Sequence, residues 1–432
     1  MNTLFKKIII GIIFVEAKLM LLRYRPKIIA VAGSVGKTGT KDMIYQCLKK
    51  DIKVRKSLKS LNSEIGVPLS ILGYESGWND PIAWLKIMIG SIFRIVYFHN
   101  YPEWLILETG VDHPGDMEKI AKFLKPDIAV ITTFGTVPVH VEYFDHPEDL
   151  MKEESKIIDY IKDGGSLILN ADDPEVLKLK DKSHVKTYTY GITNDIADTL
   201  ATNQNNILTN DFKGISFKAN YEGNVIPVSI KNVLGAQYIY CALAGMTVAK
   251  ILGLSEITVA ESISEFVPAQ GRMNLIKAKN DSMVIDDTYN SSPVALHKAL
   301  EALGDLECEG NKIAILGDML EIGRFSHSEH VKAGEFIKEI GIDYLITVGL
   351  RADEIAEGAI AAGMNKENIS SFKTSEEAIA KSLEILNLKK QSMVLAKGSQ
   401  SIRVEKIVKE LIENPEKAGK LLVRQEKEWL AR

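Results

Sequence analysis

The sequence predicts an α/β protein in which two domains are each built around a parallel sheet. Three observations predict this fold class. Short apolar runs typical of buried strands alternate with helical stretches, and the alternation occurs in two separate series. A glycine-rich loop directly follows the first apolar run, which is the context of a phosphate-binding loop. The length of 432 residues allows two to four domains, so each half can bury its own core.

The composition excludes several classes of protein. Apolar residues make up 46% and charged residues 25%, which argues against a disordered or low-complexity chain. The net charge of −4 gives no global footprint for nucleic acid, and we expect no nucleic-acid partner. Cys47, Cys241 and Cys308 form no CxxC pair, so the sequence predicts neither a disulfide framework nor a zinc module.

The first element is an apolar, amphipathic helix predicted over residues 1–26. Its core runs from residue 8 to 22 and is interrupted by Glu16 and Lys18, so it is shorter than the roughly 20 apolar residues of a spanning helix. Two interpretations are equally open. Residues 4–25 contact the inner face of the membrane, or the helix packs on the following domain or a partner subunit.

The central domain is predicted over residues 27–268. We expect strands and helices to alternate, with strands at 27–33, 104–108, 127–133 and 166–170 and helices including 41–50 and 147–163. The stretch from 186 to 232 is β-prone and rich in turns, which predicts an antiparallel subregion. Helices near 237–252 and 255–265 complete this domain.

A second apolar stretch, residues 81–98, differs from the rest of the central domain. We favour a buried helix. The other interpretation is a second membrane-facing patch beside the N-terminal helix.

The C-terminal domain is predicted over residues 269–432 as a Rossmann-like, doubly wound unit. Its strands are expected at 283–287, 312–317, 343–349 and 393–398. They alternate with helices near 293–303, 328–340, 352–362, 375–386 and 401–413.

The glycine-rich loop carries the strongest chemical signal. Backbone N–H groups in such a loop suit phosphate oxygens, and the helix dipole behind them adds to the attraction. Lys37 is placed to reach the β- and γ-phosphates, and the Thr38 hydroxyl to bind Mg²⁺. We therefore predict a P-loop ATPase domain whose nucleotide-binding residues are Gly33, Ser34, Val35, Gly36, Lys37, Thr38 and Gly39.

Other polar residues follow predicted strands, where open α/β sheets bind their ligands. Glu108 ends a buried strand beside the P-loop strand. This position favours a role for its carboxylate as a Mg²⁺ ligand together with Thr38. His140 follows the next strand and is a candidate ligand for a second metal ion. Arg272 lies at the domain linker, from which an arginine can reach phosphates when two domains close. Asn290 stands in a turn before Pro293, where its side chain could contact the adenine or the ribose.

The order and spacing of these motifs resemble the Mur ligases, the ATP-dependent amide-forming enzymes of peptidoglycan precursor synthesis. The resemblance runs from about residue 28 to 410. The matching segments are AGSVGKTGTKDM, LNSEIGVPLSIL, LETGVDHPGDM, VHVEYF, LNADDP, GRMN, IDDTYNSSP, ILGDMLEIG and LAKGSQSIRVEKIV.

The resemblance implies a mechanism in which ATP converts a peptide carboxylate to an acyl phosphate, which an incoming amine then attacks. It implies a catalytic role for Lys37, His140 and Arg272, and Mg²⁺ binding by Thr38 and Glu108 at one ion and by His140 at the other. Further roles are implied for residues of the loops and the C-terminal domain: nucleotide contact by Arg272, Asn290 and Asp318, amine-substrate contact by Lys397 and Ser399, and acceptor contact by Asn62 and Glu64.

The sequence departs from the family at three places. The family's carboxylated lysine, a ligand of the second Mg²⁺, falls at Glu154, which we expect to replace it as a catalytic and metal-binding carboxylate, although Lys152 or Lys156 could serve after a shift of register. A helix near the adenine carries Gln237, Tyr238 and Cys241 where the family has histidine and asparagines. Only about 27 residues stand where the branch that adds D-alanyl-D-alanine has a domain gripping the UDP-sugar. We therefore expect another protein or the membrane to supply the grip, or a substrate that is not a UDP-sugar.

Taken together, the resemblance implies a cytoplasmic enzyme with ATP and Mg²⁺ as cofactors. Its partners are a muramoyl-peptide-type acceptor and an amino acid or dipeptide as amine donor, with a membrane contact and a cell-wall enzyme partner as further expectations. Two other functions remain open: a membrane-associated ligase resembling poly-γ-glutamate synthases, and a non-catalytic ATP-binding scaffold subunit.

Overall fold

The computed structural model describes residues 3–58, 61–78, 80–97, 99–209, 212–221 and 223–430, without the side chains of residues 3–7 and 427–428. Residues 1, 2 and 98 of the two predicted apolar segments lie outside the described residues. The helices are α1 (Thr3–Tyr24), α2 (Lys37–Leu48), α3 (Gly66–Leu72), α4 (Pro81–Tyr97), α5 (Asp116–Leu124), α6 (Pro147–Ser155), α7 (Pro174–Leu177), α8 (Gln237–Ile251), α9 (Glu256–Ser264), α10 (Pro293–Gly304), α11 (Ser326–Glu339), α12 (Asp353–Ala361), α13 (Ser375–Leu388), α14 (Glu405–Leu411), α15 (Ala418–Leu421) and α16 (Lys427–Leu430). The strands are β1 (Lys27–Ala32), β2 (Val54–Lys56), β3 (Trp104–Glu108), β4 (Ile128–Ile131), β5 (Ser166–Asn170), β6 (Lys186–Gly191), β7 (Thr199–Leu208), β8 (Lys213–Tyr221), β9 (Asn224–Lys231), β10 (Asn274–Lys277), β11 (Met283–Asp287), β12 (Lys312–Gly317), β13 (Tyr344–Val348), β14 (Ile369–Phe372) and β15 (Met393–Lys397).

The first sheet has nine strands in the order β2-β3-β1-β4-β5-β6-β7-β8-β9. Neighbours from β2 to β6 run parallel, so their carboxyl ends meet at one edge. Strands β3 and β4 are buried along their whole length, because apolar side chains occupy both faces. In the register of β1 and β3, Val31 lies opposite Glu108, which places this carboxylate beside the glycine-rich loop.

The antiparallel prediction for residues 186–232 is right for β7, β8 and β9 and wrong for β6. Strand β8 pairs antiparallel with β7 and with β9. Strand β6 instead runs parallel to β5, with Lys186 opposite Ser166. The β-prone residues of this strand suit either direction of pairing, so composition alone does not separate the two.

The second sheet confirms the predicted doubly wound unit. Its order is β10-β11-β15-β12-β13-β14, and all neighbours from β11 to β14 are parallel. The sequence does not predict β2, β10 and β14, which have three or four residues each and lie at the edges of the sheets. Edge strands as short as these lack the continuous run of buried apolar residues by which a strand is recognised in a sequence. The domain boundary at residue 268 stays a prediction, with the strands of the two sheets on either side of it.

Two helices are shorter than predicted. The helix expected over 147–163 ends at Ser155 and continues as a 3₁₀ turn over Lys156–Tyr160. The helix expected over 401–413 begins at Glu405, because Arg403 has a left-handed backbone conformation with φ of 64°.

Helices α1 and α4 lie together on the outside of the central domain. Helix α1 buries Ile9, Ile13 and Met20 in a core that it shares with α3 and α4. Helix α4 buries only one narrow face, through Trp84, Ile87 and Ser91, so the interpretation of a buried helix over 81–98 is wrong. Among the described residues, we find no helix that is both long and apolar enough to cross a bilayer.

An acidic side chain is buried between these two helices. Glu16 is 5% exposed, and its Oε2 has no hydrogen-bond partner. Burial raises the pKa of Glu16 to about 7, although a hydrogen bond with Ser91 opposes the shift. The folded protein therefore holds this carboxyl group in its neutral form over much of the acidic pH range.

We predict that Glu16 makes the stability of the protein fall as pH rises from about 4.5 to about 7. In this window the unfolded chain has released the proton and the folded protein still holds it, so rising pH favours unfolding. The variant Glu16→Gln should flatten this part of the profile and be more stable than the parent at pH 8 by on the order of 1–2 kcal/mol. Urea unfolding of both proteins at pH 5 and pH 8 measures the difference. An unchanged pH slope in the variant would contradict the assignment.

Candidate active site

A cavity of about 810 Å³ is lined by residues of both predicted domains. Its walls come from the glycine-rich loop, from residues after β3 and β4, from the interdomain linker and from the loops that follow β11, β12 and β15. The predicted site residues that line it are Ser34, Val35, Gly36, Lys37, Thr38, Gly39, Asn62, Glu108, His140, Arg272, Asn290, Lys397 and Ser399. The fold therefore brings most of the predicted residues of both domains to one place.

The glycine-rich loop has a backbone that other residues would not easily adopt. Gly33 and Gly36 have φ values of 116° and 87°. A Cβ atom on Gly33 would collide with Oγ1 of Thr132, whereas one on Gly36 would meet open space. The amides of Ser34 and Val35 donate to the carbonyl of Thr133, at 2.8 and 3.0 Å, which fixes the loop to the end of β4.

Lys37 opens α2 and folds back over this loop. Its Nζ donates to the carbonyl of Gly33 and, at 3.4 Å, to that of Ser34. The same ammonium group lies 3.8 Å from Oε1 of Glu154, behind the loop. A cation in this position can neutralise phosphate oxygens bound by the loop.

Glu108 is the centre of a buried polar cluster at the end of β3. It is 2% exposed, and its Oε2 accepts a hydrogen bond from Thr38 at 3.0 Å. Asn62 donates to Oε1 at 3.3 Å, and the ammonium group of Lys41 lies 3.5 Å from Oε2. Lys41 was not predicted, although it stands one helical turn after Lys37 and so shares its face of α2.

The Thr38 hydroxyl and the Glu108 carboxylate fit a magnesium ion. Both are hard oxygen donors, and Mg²⁺ is commonly bound by one or two such groups together with substrate phosphates and water. The described residues hold no group of three or more histidine, cysteine, aspartate or glutamate side chains able to bind a metal alone. Two oxygen donors suit an ion whose other ligands are nucleotide phosphates and water.

His140 lies between the two domains. Its Nδ1 is 3.2 Å from Oε2 of Glu321 in the C-terminal domain, and its Nε2 is 3.6 Å from Oδ1 of Asp112. A further contact joins the domains nearby, since Arg324 donates to the carbonyl of Asp145 at 2.9 Å. Sequence reasoning missed both carboxylates, because one is distant in sequence and the other stands in an ordinary turn.

Glu154 lies beneath the glycine-rich loop and outside the cavity lining. It is 3% exposed, and its Oε2 accepts a hydrogen bond from Ser34 at 2.9 Å. Burial raises its pKa, and the nearby Lys37 opposes this shift. The alternatives to Glu154 lie elsewhere, because Lys152 pairs with Asp149 at 3.0 Å and Lys156 with Glu153 at 2.8 Å.

Arg272 connects the linker to the glycine-rich loop. Its NH2 donates to the Thr38 hydroxyl at 3.4 Å, and its guanidinium stacks 4.0 Å from the ring centroid of Tyr289. The Nε of Arg272 is buried without a hydrogen-bond partner. The guanidinium group of Arg272 is thus held at the cavity, and its Nε–H group still lacks a hydrogen-bond acceptor.

The C-terminal domain contributes a buried lysine and a serine. Lys397 is 2% exposed, pairs with Oδ2 of Asp287 at 2.5 Å and donates to the carbonyl of Asn290 at 2.9 Å. Ser399 accepts a hydrogen bond from the amide of Leu320 at 2.9 Å. These residues face the glycine-rich loop from the opposite wall.

Three other predicted residues, Gly33, Glu64 and Asp318, are not among the residues that line the cavity. Asp318 turns away, because its Oδ1 accepts hydrogen bonds from the amides of Arg351 and Ala352 at 3.0 and 2.7 Å just before α12. Burial raises the pKa of Asp318. Glu64 is exposed, outside the lining residues.

Helix α8 presents Gln237, Tyr238 and Cys241 to the cavity. Thr40 donates to Sγ of Cys241 at 3.5 Å. A Cβ on Gly39 would lie 2.9 Å from the same sulfur, so glycine permits the close approach of the two helices. Burial raises the pKa of Cys241 to about 12, which keeps the thiol neutral.

Several lining residues have no counterpart in the sequence predictions. Lys298 projects from α10, and Arg403 and Trp429 reach the cavity from the C-terminal segment. The guanidinium of Arg403 lies 5.5 Å from the ring centroid of Trp429. A half-buried helical lysine or a tryptophan near the C-terminus has no local sequence pattern that would single it out.

Comparisons with known proteins agree on one family. The profile of the Mur ligase middle domain matches residues 31–84 and 88–249, and that of the Mur ligase, glutamate ligase domain matches residues 271–400. The UDP-N-acetylmuramoyl-tripeptide--D-alanyl-D-alanine ligase of Bacillus subtilis (strain 168) is 30% identical over 401 residues, which cover 92% of this chain and 79% of that protein.

Solved structures show the same fold. The MurF ligase from Thermotoga maritima in complex with ADP superposes with a TM-score of 0.76 at 24% identity, covering 94% of this chain and 84% of that one. MurF from Acinetobacter baumannii superposes with a TM-score of 0.75 at 22% identity, covering 91% of this chain and 78% of that one.

We predict that Gly33→Ala weakens ATP binding more than Gly36→Ala does. Both substitutions strain a left-handed backbone, at a cost of about 1 kcal/mol, but only the methyl group at position 33 collides with Thr132, directly after β4. Isothermal titration of both variants and the parent with ATP and Mg²⁺ should show at least a tenfold larger Kd for Gly33→Ala than for Gly36→Ala. Equal affinities in the two variants would contradict the steric argument.

Proposed function

This chain belongs to the Mur ligase family of ATP-dependent ligases, and we propose that it joins D-alanyl-D-alanine to a muramoyl-tripeptide-type acceptor. The observation that carries the proposal is the shared cavity, in which Lys37, Arg272 and Lys397 converge. The 30% identity with the Bacillus subtilis ligase supports the choice of substrates, because it extends over 92% of this chain.

The proposed reaction has two chemical steps. An oxygen of the acceptor carboxylate attacks the γ-phosphorus of ATP, the bond to the β-phosphate oxygen breaks, and ADP leaves with that electron pair. The neutral amine of the dipeptide then attacks the acyl carbon, and inorganic phosphate leaves as the amide forms. The nitrogen gives up a proton in this second step.

The first step brings two anions together, which is why the cavity needs cations. Lys37 and Arg272 lie on the phosphate side and reduce the repulsion between carboxylate and nucleotide. Each is already held in position, by the loop carbonyls and by the Tyr289 ring respectively. Preorganised charges of this kind need little rearrangement when the reaction begins.

The amine would enter from the C-terminal domain, where Lys397 and Ser399 lie. The pairing of Lys397 with Asp287 fixes its ammonium group, and the Ser399 hydroxyl is oriented by the amide of Leu320. Positioning the amine beside the acyl carbon accounts for part of the rate, because it replaces an encounter in solution. Asn62 extends the cavity on the acceptor side.

Bound Mg²⁺ would supply further neutralisation of the phosphates. We assign Thr38 and Glu108 to one ion and His140 to a second. Glu154 is proposed to act as the fixed carboxylate in place of the family's carboxylated lysine. It is placed to hold Lys37 and Ser34 in the orientation that the nucleotide needs.

We propose that the enzyme is cytoplasmic. The contact with the inner face of the membrane belongs to this proposal, and a cell-wall enzyme partner remains a prediction from the sequence. The poly-γ-glutamate synthase interpretation loses support, because profiles of both Mur ligase domains match this chain.

We predict that phosphate release from ATP requires both substrates. With Mg²⁺, ATP and a UDP-linked muramoyl tripeptide, addition of D-alanyl-D-alanine should raise the release rate, and mass spectrometry should show the amide product. Lys37→Met should reduce this rate at least about 100-fold, because one phosphate-neutralising cation is lost. Release that does not respond to any amine would favour the scaffold interpretation.

We predict that Glu154 makes the enzyme independent of carbon dioxide. Glu154→Gln should lose activity about 100-fold because the charge is removed with little change in shape, and removal of bicarbonate should leave the parent unaffected. Because burial raises the pKa of Glu154, the parent's activity should fall on acidification at a pH above the pKa of a free glutamate.

The variant Glu154→Lys provides a control, since added bicarbonate should restore part of its activity by carboxylating the new amine. Loss of parent activity when bicarbonate is removed would instead point to a carboxylated lysine elsewhere in the protein.

A further inference from the structure

Helices α1 and α4 pack against each other and each exposes a set of large apolar side chains, together named the α1–α4 surface. Thirteen of the 23 exposed large hydrophobic side chains of the described residues lie on these two helices. On α1 they are Ile8, Ile12, Phe14, Val15, Leu19 and Leu22, and on α4 they are Ile82, Leu85, Ile89, Ile92, Phe93, Val96 and Tyr97. A monomeric soluble protein rarely exposes so large an apolar patch without a use for it.

The spacing shows that the exposure is systematic. The exposed stripe of α1 follows positions 8, 12, 15, 19 and 22, and that of α4 follows 82, 85, 89, 92 and 96. Steps of three and four residues place each stripe along one side of its helix. The opposite sides are already buried in the core that includes Ile13 and Trp84. Each helix therefore has one apolar side for the protein and another for something outside it.

The two helices are fixed to each other, so the surface has a defined shape. Arg23 donates to the carbonyl of Val96 at 3.0 Å, and the Tyr24 hydroxyl donates to that of Arg94 at 3.0 Å. The Tyr24 ring also stacks on Tyr101, with centroids 4.6 Å apart. The C-terminal ends of both helices are thereby held side by side.

The charges on these helices have one sign. Their sequences contain six basic residues, Lys6, Lys7, Lys18, Arg23, Lys86 and Arg94, and a single acidic one, Glu16. Glu16 is buried, whereas Lys18 and Lys86 are exposed beside the two stripes. This concentration of positive charge stands out in a chain with a net charge of −4. Lysines beside an apolar stripe can place their stems on lipid and their ammonium groups among headgroups.

We propose that the α1–α4 surface docks the protein on an anionic lipid bilayer, with both helices lying in the plane of the interface. An apolar stripe flanked by cations is the pattern of such interfacial helices. A second copy of the chain is the less suitable occupant, because it would bring two positively charged surfaces together. Phe93 and Tyr97, whose rings stack near the end of α4, suit the headgroup region. The inference does not depend on the proposed activity, since none of these residues lines the cavity.

The test is flotation of the full chain with vesicles of phosphatidylcholine alone and of phosphatidylcholine with 30% phosphatidylglycerol. We expect binding to the anionic vesicles at low salt and weaker binding at 0.5 M NaCl, where charges are screened. Lys18→Gln combined with Lys86→Gln should weaken partitioning roughly 30-fold, from two lost lysine–headgroup attractions. Leu22→Gln combined with Ile92→Gln should weaken it at least tenfold by removing apolar contact.

A matched control makes the same chemical change elsewhere. Ile257→Gln combined with Val267→Gln also replaces two exposed apolar side chains, and it should leave vesicle binding unchanged. Circular dichroism confirms that all three variants are folded, and phosphate release with soluble substrates should be unchanged in each. Absence of binding to anionic vesicles by the folded parent overturns the proposal. A dimer in lipid-free solution that the Leu22 and Ile92 changes dissociate, without vesicle binding, would assign the surface to a second copy.

Discussion

The site depends on the burial of one carboxylate. Glu108 ends β3, the second strand of the first sheet, at a position where water has almost no access. A charge in that position is tolerated only if its neighbours supply hydrogen bonds and opposite charge. Thr38 and Lys41 from α2 and Asn62 from the loop before α3 meet this requirement together. Arg272 then reaches the same threonine from the linker, so the need to satisfy one buried group orders four separate segments.

Several polar contacts join the second domain to the first beside the site. His140 stands between Asp112 and Glu321, and Arg324 reaches the backbone at Asp145. Gly323 also packs on Glu142, and a Cβ on this glycine would lie only 3.0 Å from the Cβ of Glu142. Apolar contacts also join the domains, because one buried core contains Ile29 and Leu243 of the first and Leu275 and Leu395 of the second. In the proposed reaction, closure of the domains would exclude water, because water would hydrolyse the acyl phosphate.

Much of the architecture can be predicted because buried parallel strands are apolar on both faces. Strands β3, β5, β11 and β12 have the predicted bounds, and the residues at their carboxyl ends meet as topology requires. The direction of β6 and the exposure of α4 could not be predicted, since both depend on what lies beside the element. The role of Asp318 could not be predicted either. An aspartate after a strand can bind a ligand or accept backbone hydrogen bonds in a turn, and the sequence does not distinguish the two. Glu321 and Trp429 line the site because of how the domains pack, and no sequence pattern around either residue indicates this position.

The carboxylate beneath the glycine-rich loop has a consequence for how this protein matures. Glu154 is part of the chain when translation ends, and it is sealed under Ser34 and Lys37 as the fold closes. A group of this kind is assembled once, needs no inorganic carbon and cannot revert by losing it. In the role that we propose for Glu154, the conformation of the loop is encoded in the sequence and does not depend on the supply of carbon dioxide.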